Sequence, residues 1–114
     1  MTTYLDCNAT TPIAPEVAEI VSKYMFEEYG NAGSRTHEFG VRAKQATELA
    51  RQQVADVVGA GKNEVIFTSG ATESNNIAIL GLKSWAISQN QKHIVTTKIE
   101  HKAVLEPFEV LEKE

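Results

Sequence analysis

Glu64-Val65-Ile66-Phe67-Thr68-Ser69-Gly70-Ala71-Thr72-Glu73-Ser74 is the stretch on which the fold turns. A short apolar run gives way to small and hydroxylated residues, and helical spacing follows, so the pattern predicts a strand bending sharply into a helix N-terminus. Such a junction suits an anion. The first helical N–H groups have no intrahelical acceptor, and the helix dipole adds partial positive charge there. Gly70 and Ala71 leave the approach clear, Thr72 and Ser74 bring hydroxyl donors, and Glu73 with Asn75 and Asn76 suits a first helical turn. Taken alone, the segment reads equally as a phosphate cradle and as a well-capped helix after a strand.

Downstream, Ile77, Leu80, Leu82 and Trp85 are the apolar positions of the predicted helix, and Gln89 to Lys92 break it. His93-Ile94-Val95-Thr96-Thr97-Lys98-Ile99 is rich in β-branched residues and predicts a second strand. Strand, helix, strand is a βαβ unit, the building block of an α/β fold with a mainly parallel sheet and flanking helices. Ligands of such sheets lie outside the carboxyl ends of the strands, where Ala71, Thr72, Glu100 and His101 fall. Pro107 interrupts the final pattern, Lys102 to Glu114, predicting a tight turn over Ala103 to Glu106 and a helix from near Pro107.

Upstream, Val17, Ile20, Val21, Tyr24 and Met25 recur at helical spacing after Pro15, with one packed face and Gly30 as the stop. Residues 31–40 form a loop carrying Arg35, Thr36 and His37 together. A second helix is expected from Val41 to Val58, with Ala43, Ala46, Leu49, Ala50, Val54 and Val57 inward and Gly59 as its end. Two parallel strands cannot close a core alone, so exposed apolar edges are expected unless the chain pairs.

The 114 residues are 42% hydrophobic and 23% charged, an ordinary composition for one small domain. A net charge of −4 with scattered basic residues argues against a nonspecific grip on nucleic acid or an anionic membrane. No apolar run approaches the ~18 residues of a spanning helix, and the first residues lack a leader pattern, so a cytoplasmic protein is expected. The lone Cys7 has no sequence neighbour to activate it and reads as a packed thiol. Generic nucleotide motifs are missing: Gly59-Ala60-Gly61 follows a helix and reads as a helix stop. His101 is read either as a ring against a planar ligand or as a cap of the following turn. His37 reads chiefly as a solvated loop residue, His93 as the start of a strand and Lys102 as a surface lysine.

Four ordered segments now coincide: Tyr4 to Pro12 (YLDCNATTP), Ser34 to Gly40 (SRTHEFG), Phe67 to Asn76 (FTSGATESNN) and Glu100 to Leu105 (EHKAVL). Their order and spacing resemble the beginning of a cysteine desulfurase, of the class-V aminotransferase branch of pyridoxal-phosphate enzymes. The resemblance implies a homodimer whose large domain is a seven-stranded, mainly parallel sheet of fold type I. Residues 1–114 would be the amino-terminal segment and the start of that domain, with the rest of it and the small carboxyl-terminal domain outside the chain. It implies conversion of L-cysteine to L-alanine, with sulfur left as a persulfide on an enzyme cysteine and passed to an acceptor protein. It further implies pyridoxal 5'-phosphate as cofactor, its phosphate on Ala71 and Thr72 and its ring under His101. Asn8, Ala9 and Thr10 would lie on the substrate side, and His37 near an active site.

The same resemblance assigns no catalytic residue to this chain. The family's Schiff-base lysine, persulfide cysteine, pyridine-pairing aspartate and substrate arginine have no match in 114 residues, and neither Lys102 nor Cys7 occupies such a position. The expectation is therefore an incomplete enzyme, completed by a carboxyl-terminal chain. Its downstream role would be iron–sulfur assembly, tRNA thiolation or DNA phosphorothioation, and the opening Leu5 to Pro12 leans to the last. An inactive interaction or dimerisation fragment, or another class-V enzyme such as a selenocysteine lyase, is the alternative.

Overall fold

Pro15, with its fixed φ and no N–H to satisfy, opens helix α1 at Pro15–Phe26 in the computed structural model, which describes residues 2–113. The helix stops four residues before Gly30, because the Lys23 carbonyl accepts both the Glu27 and the Glu28 N–H, at 2.8 and 3.0 Å. Gly30 has a different task. A Cβ there would lie 2.3 Å from the Phe39 carbonyl oxygen, so glycine permits two backbone segments to touch.

Helix α2, Glu38–Val58, begins three residues earlier than the apolar pattern suggested. His37 is its N-cap, with Nδ1 accepting the Gly40 N–H at 3.2 Å, a role that loop composition does not reveal. The loop before it is held by rings and charge. Tyr29 stacks on Phe39 with centroids 6.1 Å apart, His37 meets the same ring edge-on, and the Arg42 guanidinium lies 4.9 Å above it. Arg42 also pairs with Glu28 at 3.2 Å and Glu38 at 3.1 Å. Gly40 is buried, and a Cβ on it would fall 2.3 Å from the Ser34 carbonyl oxygen. Gly40→Ala is accordingly expected to cost about 1–3 kcal/mol in chemical denaturation, by overpacking against backbone that cannot rotate away. Gly70→Ala, where a Cβ meets nothing within 4 Å, is the control with little effect.

Gly59 ends α2 in the left-handed conformation, φ 68°, ψ 28°, as its position implied, and the Ala60 N–H reaches the Ala55 carbonyl at 2.9 Å. A 3-10 turn, Lys62–Glu64, follows, closed by the Glu64 carboxylate accepting the Gly61 N–H at 2.7 Å. Lys62 pairs with Glu48 at 3.3 Å, and Arg51 donates to the Val65 carbonyl.

The expected strands are not formed: the described residues contain none, and 64–68 and 93–99 carry no sheet pairing. A strand is defined by its neighbour's hydrogen bonds, and two short segments without a wider sheet cannot supply them. The predicted third helix is divided at Leu82 into α3, Ala71–Gly81, and α4, Lys83–Ser88. The break expected at Gln89 to Lys92 is there, with Asn90 at φ 55° and the Gln91 N–H bonded to the Ala86 carbonyl at 2.8 Å. Helix α5 is continuous over Lys102–Glu112 with Pro107 inside it, where a start near Pro107 was expected. His101 caps the helix ahead of the proline, so Pro107 forfeits only the bond its N–H would have made, and its ring is buried. Whether the pattern reaches Glu114 lies outside the described residues.

The chain divides into two compact units, one reaching to Val65 and the other starting at Ile66. In the first, Gly40 and Ala55 are buried; in the second, α3 packs on α5, burying Ala103 and Pro107. All four are small. The large apolar side chains predicted to face inward are largely uncovered: Ile20 is 59% exposed, Leu49 60%, Val57 86% and Trp85 54%. Helical periodicity identified those faces correctly as faces, but covering them requires surfaces that neither unit contains.

Candidate functional site at the N-terminus of α3

Gly70 is the N-cap of α3, in an extended conformation, and has no side chain to donate or accept. The turn is instead locked from both flanks. The Glu73 carboxylate folds back to accept the Ser69 N–H at 2.6 Å and the Ser69 hydroxyl at 2.7 Å. On the other flank, the Thr68 and Ser74 hydroxyl oxygens lie 2.7 Å apart and 3.1 and 3.2 Å from the Gly70 carbonyl oxygen, so one hydroxyl donates to the other, which donates to that carbonyl. Ser74, expected to offer a donor to a ligand, is thus committed to the turn itself. Glu73 is the third residue after the N-cap Gly70, the position from which a carboxylate reaches back over a helix start.

What the lock leaves over is specific. The Ser74 N–H makes the first intrahelical bond, to Gly70, at 3.1 Å, so the amides of Ala71, Thr72 and Glu73 precede the ladder. Among the described residues, the Thr72 hydroxyl makes no side-chain hydrogen bond; its carbonyl accepts from Asn76 Nδ2 at 2.9 Å. Space beside Gly70 is open. Three successive amides, one hydroxyl and the positive end of an 11-residue helix fit an oxyanion such as a phosphate.

Those two hydrogen bonds from Ser69, backbone first and hydroxyl second, lower the Glu73 pKa below its ordinary 4.5. A depressed carboxylate pKa means the folded turn binds fewer protons than the unfolded chain. Its stabilisation is complete above pH 4.5 and is lost as pH falls through the folded value. The Ser69 amide resonance should therefore move with a midpoint below 4.5, and Glu73→Gln should abolish that titration.

His101 stands at the start of α5, ring exposed, with Nδ1 accepting the Ala103 N–H at 3.1 Å. Of the two readings open for it, capping is realised. In the other unit, Asn8 and Ala9 lie on an exposed turn in which the Ala9 N–H reaches the Asp6 carbonyl at 3.0 Å, and the Thr10 hydroxyl is held by Tyr4 at 2.6 Å. His37 belongs to that unit as well, and Cys7 is exposed there. Ala71, Thr72 and His101 therefore share one unit, and Asn8, Ala9, Thr10 and His37 the other. No helix among the described residues is long and apolar enough to cross a membrane, and no cluster there could hold a metal ion.

A capped helix start with spare amides and a histidine at the start of the next helix are what this unit brings together. The model of the class-V aminotransferase family matches residues 3–114, and the chain belongs to that family. It is 50% identical over 111 residues to the mitosomal cysteine desulfurase of Trachipleistophora hominis, a match covering 96% of this chain and 25% of that one. The cysteine desulfurase IscS of Photorhabdus laumondii is 50% identical over 113 residues, covering 97% and 28%. The crystal structure of DndA from Streptomyces lividans superimposes with a TM-score of 0.79 at 56% identity, over 97% of this chain and 31% of that one. A NifS-like protein gives 0.83 at 43%, over 99% and 30%. The backbone follows these folds even though its described residues form only helices and turns. The chain spans about a quarter of the length of the curated relatives it matches.

Proposed function

We propose that this chain is the phosphate-holding wall and amino-terminal part of the large domain of a cysteine desulfurase, acting as part of a larger assembly. The reading rests on one observation above the others: around α3, Thr68, Ser69, Glu73 and Ser74 bind one another, leaving the Ala71 and Thr72 amides and the Thr72 hydroxyl uncommitted. Identity of 50% to desulfurases over nearly the whole chain supports it.

When bound, pyridoxal phosphate supplies an electron sink for carbanion chemistry at the substrate's α-carbon. This chain's own part is to hold and orient. Ala71 and Thr72 would grip the phosphate, and His101 would lie against the ring. Asn8, Ala9, Thr10 and His37 would border the substrate, L-cysteine, whose sulfur goes to an acceptor protein. A homodimer in the cytoplasm completed by the remaining polypeptide is the assembly proposed. The exposed apolar faces favour a second reading, a docking fragment that joins a desulfurase without contributing to its chemistry.

The test combines this chain with a polypeptide supplying the rest of a class-V relative and measures alanine and sulfide release from L-cysteine. Release that requires both chains is expected. Association without any release would replace the first reading by the second.

A further inference from the structure

The start of α5 holds more information about His101 than its place in the chain. Nδ1 accepts the Ala103 N–H at 3.1 Å, and a ring nitrogen that accepts carries no proton, so the neutral ring has its hydrogen on Nε2. The donor is firmly placed. Ala103 is only 8% exposed, Pro107 one turn on is buried, and α5 packs on α3. The approach is held as well, because the Thr97 hydroxyl donates to the Glu100 carboxylate at 2.8 Å immediately before the histidine. The backbone of His101, φ −64° and ψ 151°, is the extended geometry of an N-cap.

We infer that the first turn of α5 is a positioning device that keeps His101 as one neutral tautomer in one orientation, with Nε2–H directed away from the helix. Given the proposed place of His101 against the cofactor ring, the consequence is chemical. In the neutral ring offered there, the free nitrogen can donate a hydrogen bond but not accept one.

The test uses nitrogen-15 histidine spectra of the full chain in mildly alkaline buffer, with signals assigned through His101→Asn. His101 should show unmixed Nε2–H shifts, whereas His93, which makes no hydrogen bond among the described residues, supplies the signal averaged over both tautomers. Exchange of the Ala103 amide should quicken by about fivefold or more in His101→Ala and stay within about twofold in His101→Asn, which restores a capping acceptor. Averaged shifts like those of His93, or an Ala103 amide indifferent to His101→Ala, would overturn the inference. The same spectra of the complemented assembly, with only this chain labelled, give the answer should the variant chain fail to fold. No cofactor enters either measurement, so failure of the phosphate assignment leaves this result standing, and the reverse holds too.

Discussion

Combined with a polypeptide supplying the missing part of a class-V relative, this chain is expected to slow its hydrogen exchange at residues 64–68 and 93–99 by about 1000-fold or more. Both segments have strand composition, and neither is part of a sheet. Ile66 is 66% exposed, Phe67 48%, Val95 84% and Ile99 94%. Such exposure leaves much apolar surface of both segments facing solvent. A sheet partner would cover that surface, and cooperative pairing carries local opening toward the global unfolding free energy. The uncovered stripe of α1, including Ile20 and Val21, at 59% and 47% exposure, should become protected in the same experiment. Peptide-level mass spectrometry of the labelled chain checks the prediction. Protection confined to the helices, with both segments still exchanging freely, would show that they are loops and not unpaired strands.

Ala71→Pro is expected to weaken binding of pyridoxal phosphate to the completed assembly by about 10- to 100-fold while leaving α3 intact. Ala71 is the first residue of the helix, where proline is well accepted because its N–H has no intrahelical partner. Gly70 is extended, which is the conformation a following proline requires. The substitution therefore removes one amide facing the anion and little else. Thr72→Val should act in the same direction by removing the uncommitted hydroxyl. Ser74→Ala should instead loosen the turn, since that hydroxyl serves Thr68 and Gly70. Pyridoxal lacking the phosphate should bind all of these variants alike. Fluorescence or absorbance titration with the two ligands separates the outcomes: an equal loss for both would place the damage in the fold and not in phosphate contact.

Some features were readable because their causes are local. Pro15 at a helix start, Gly59 at a helix end and the punctuation at Gln89 to Lys92 depend on φ, ψ and missing donors within a few residues, and all three occur. The capping of α2 and α5 by histidine was harder to see, because an imidazole caps only when Nδ1 is unprotonated and rotated onto the next turn. The commitment of Ser74 to the turn was hidden for a similar reason: a hydroxyl's partner depends on which neighbour reaches it first.

By itself, then, the order of residues determined the family, the helix start at Ala71, and the faces that are apolar. It did so because periodicity, capping and motif spacing are properties of neighbours along the chain. Only the tertiary structure decided which donors at that helix start remain available, that Gly30 and Gly40 serve close backbone approach, and that α5 runs through Pro107. It also decided that 64–68 and 93–99 form no sheet among the described residues. Strands and buried faces are relations between distant segments, which no pattern of neighbours along the chain contains.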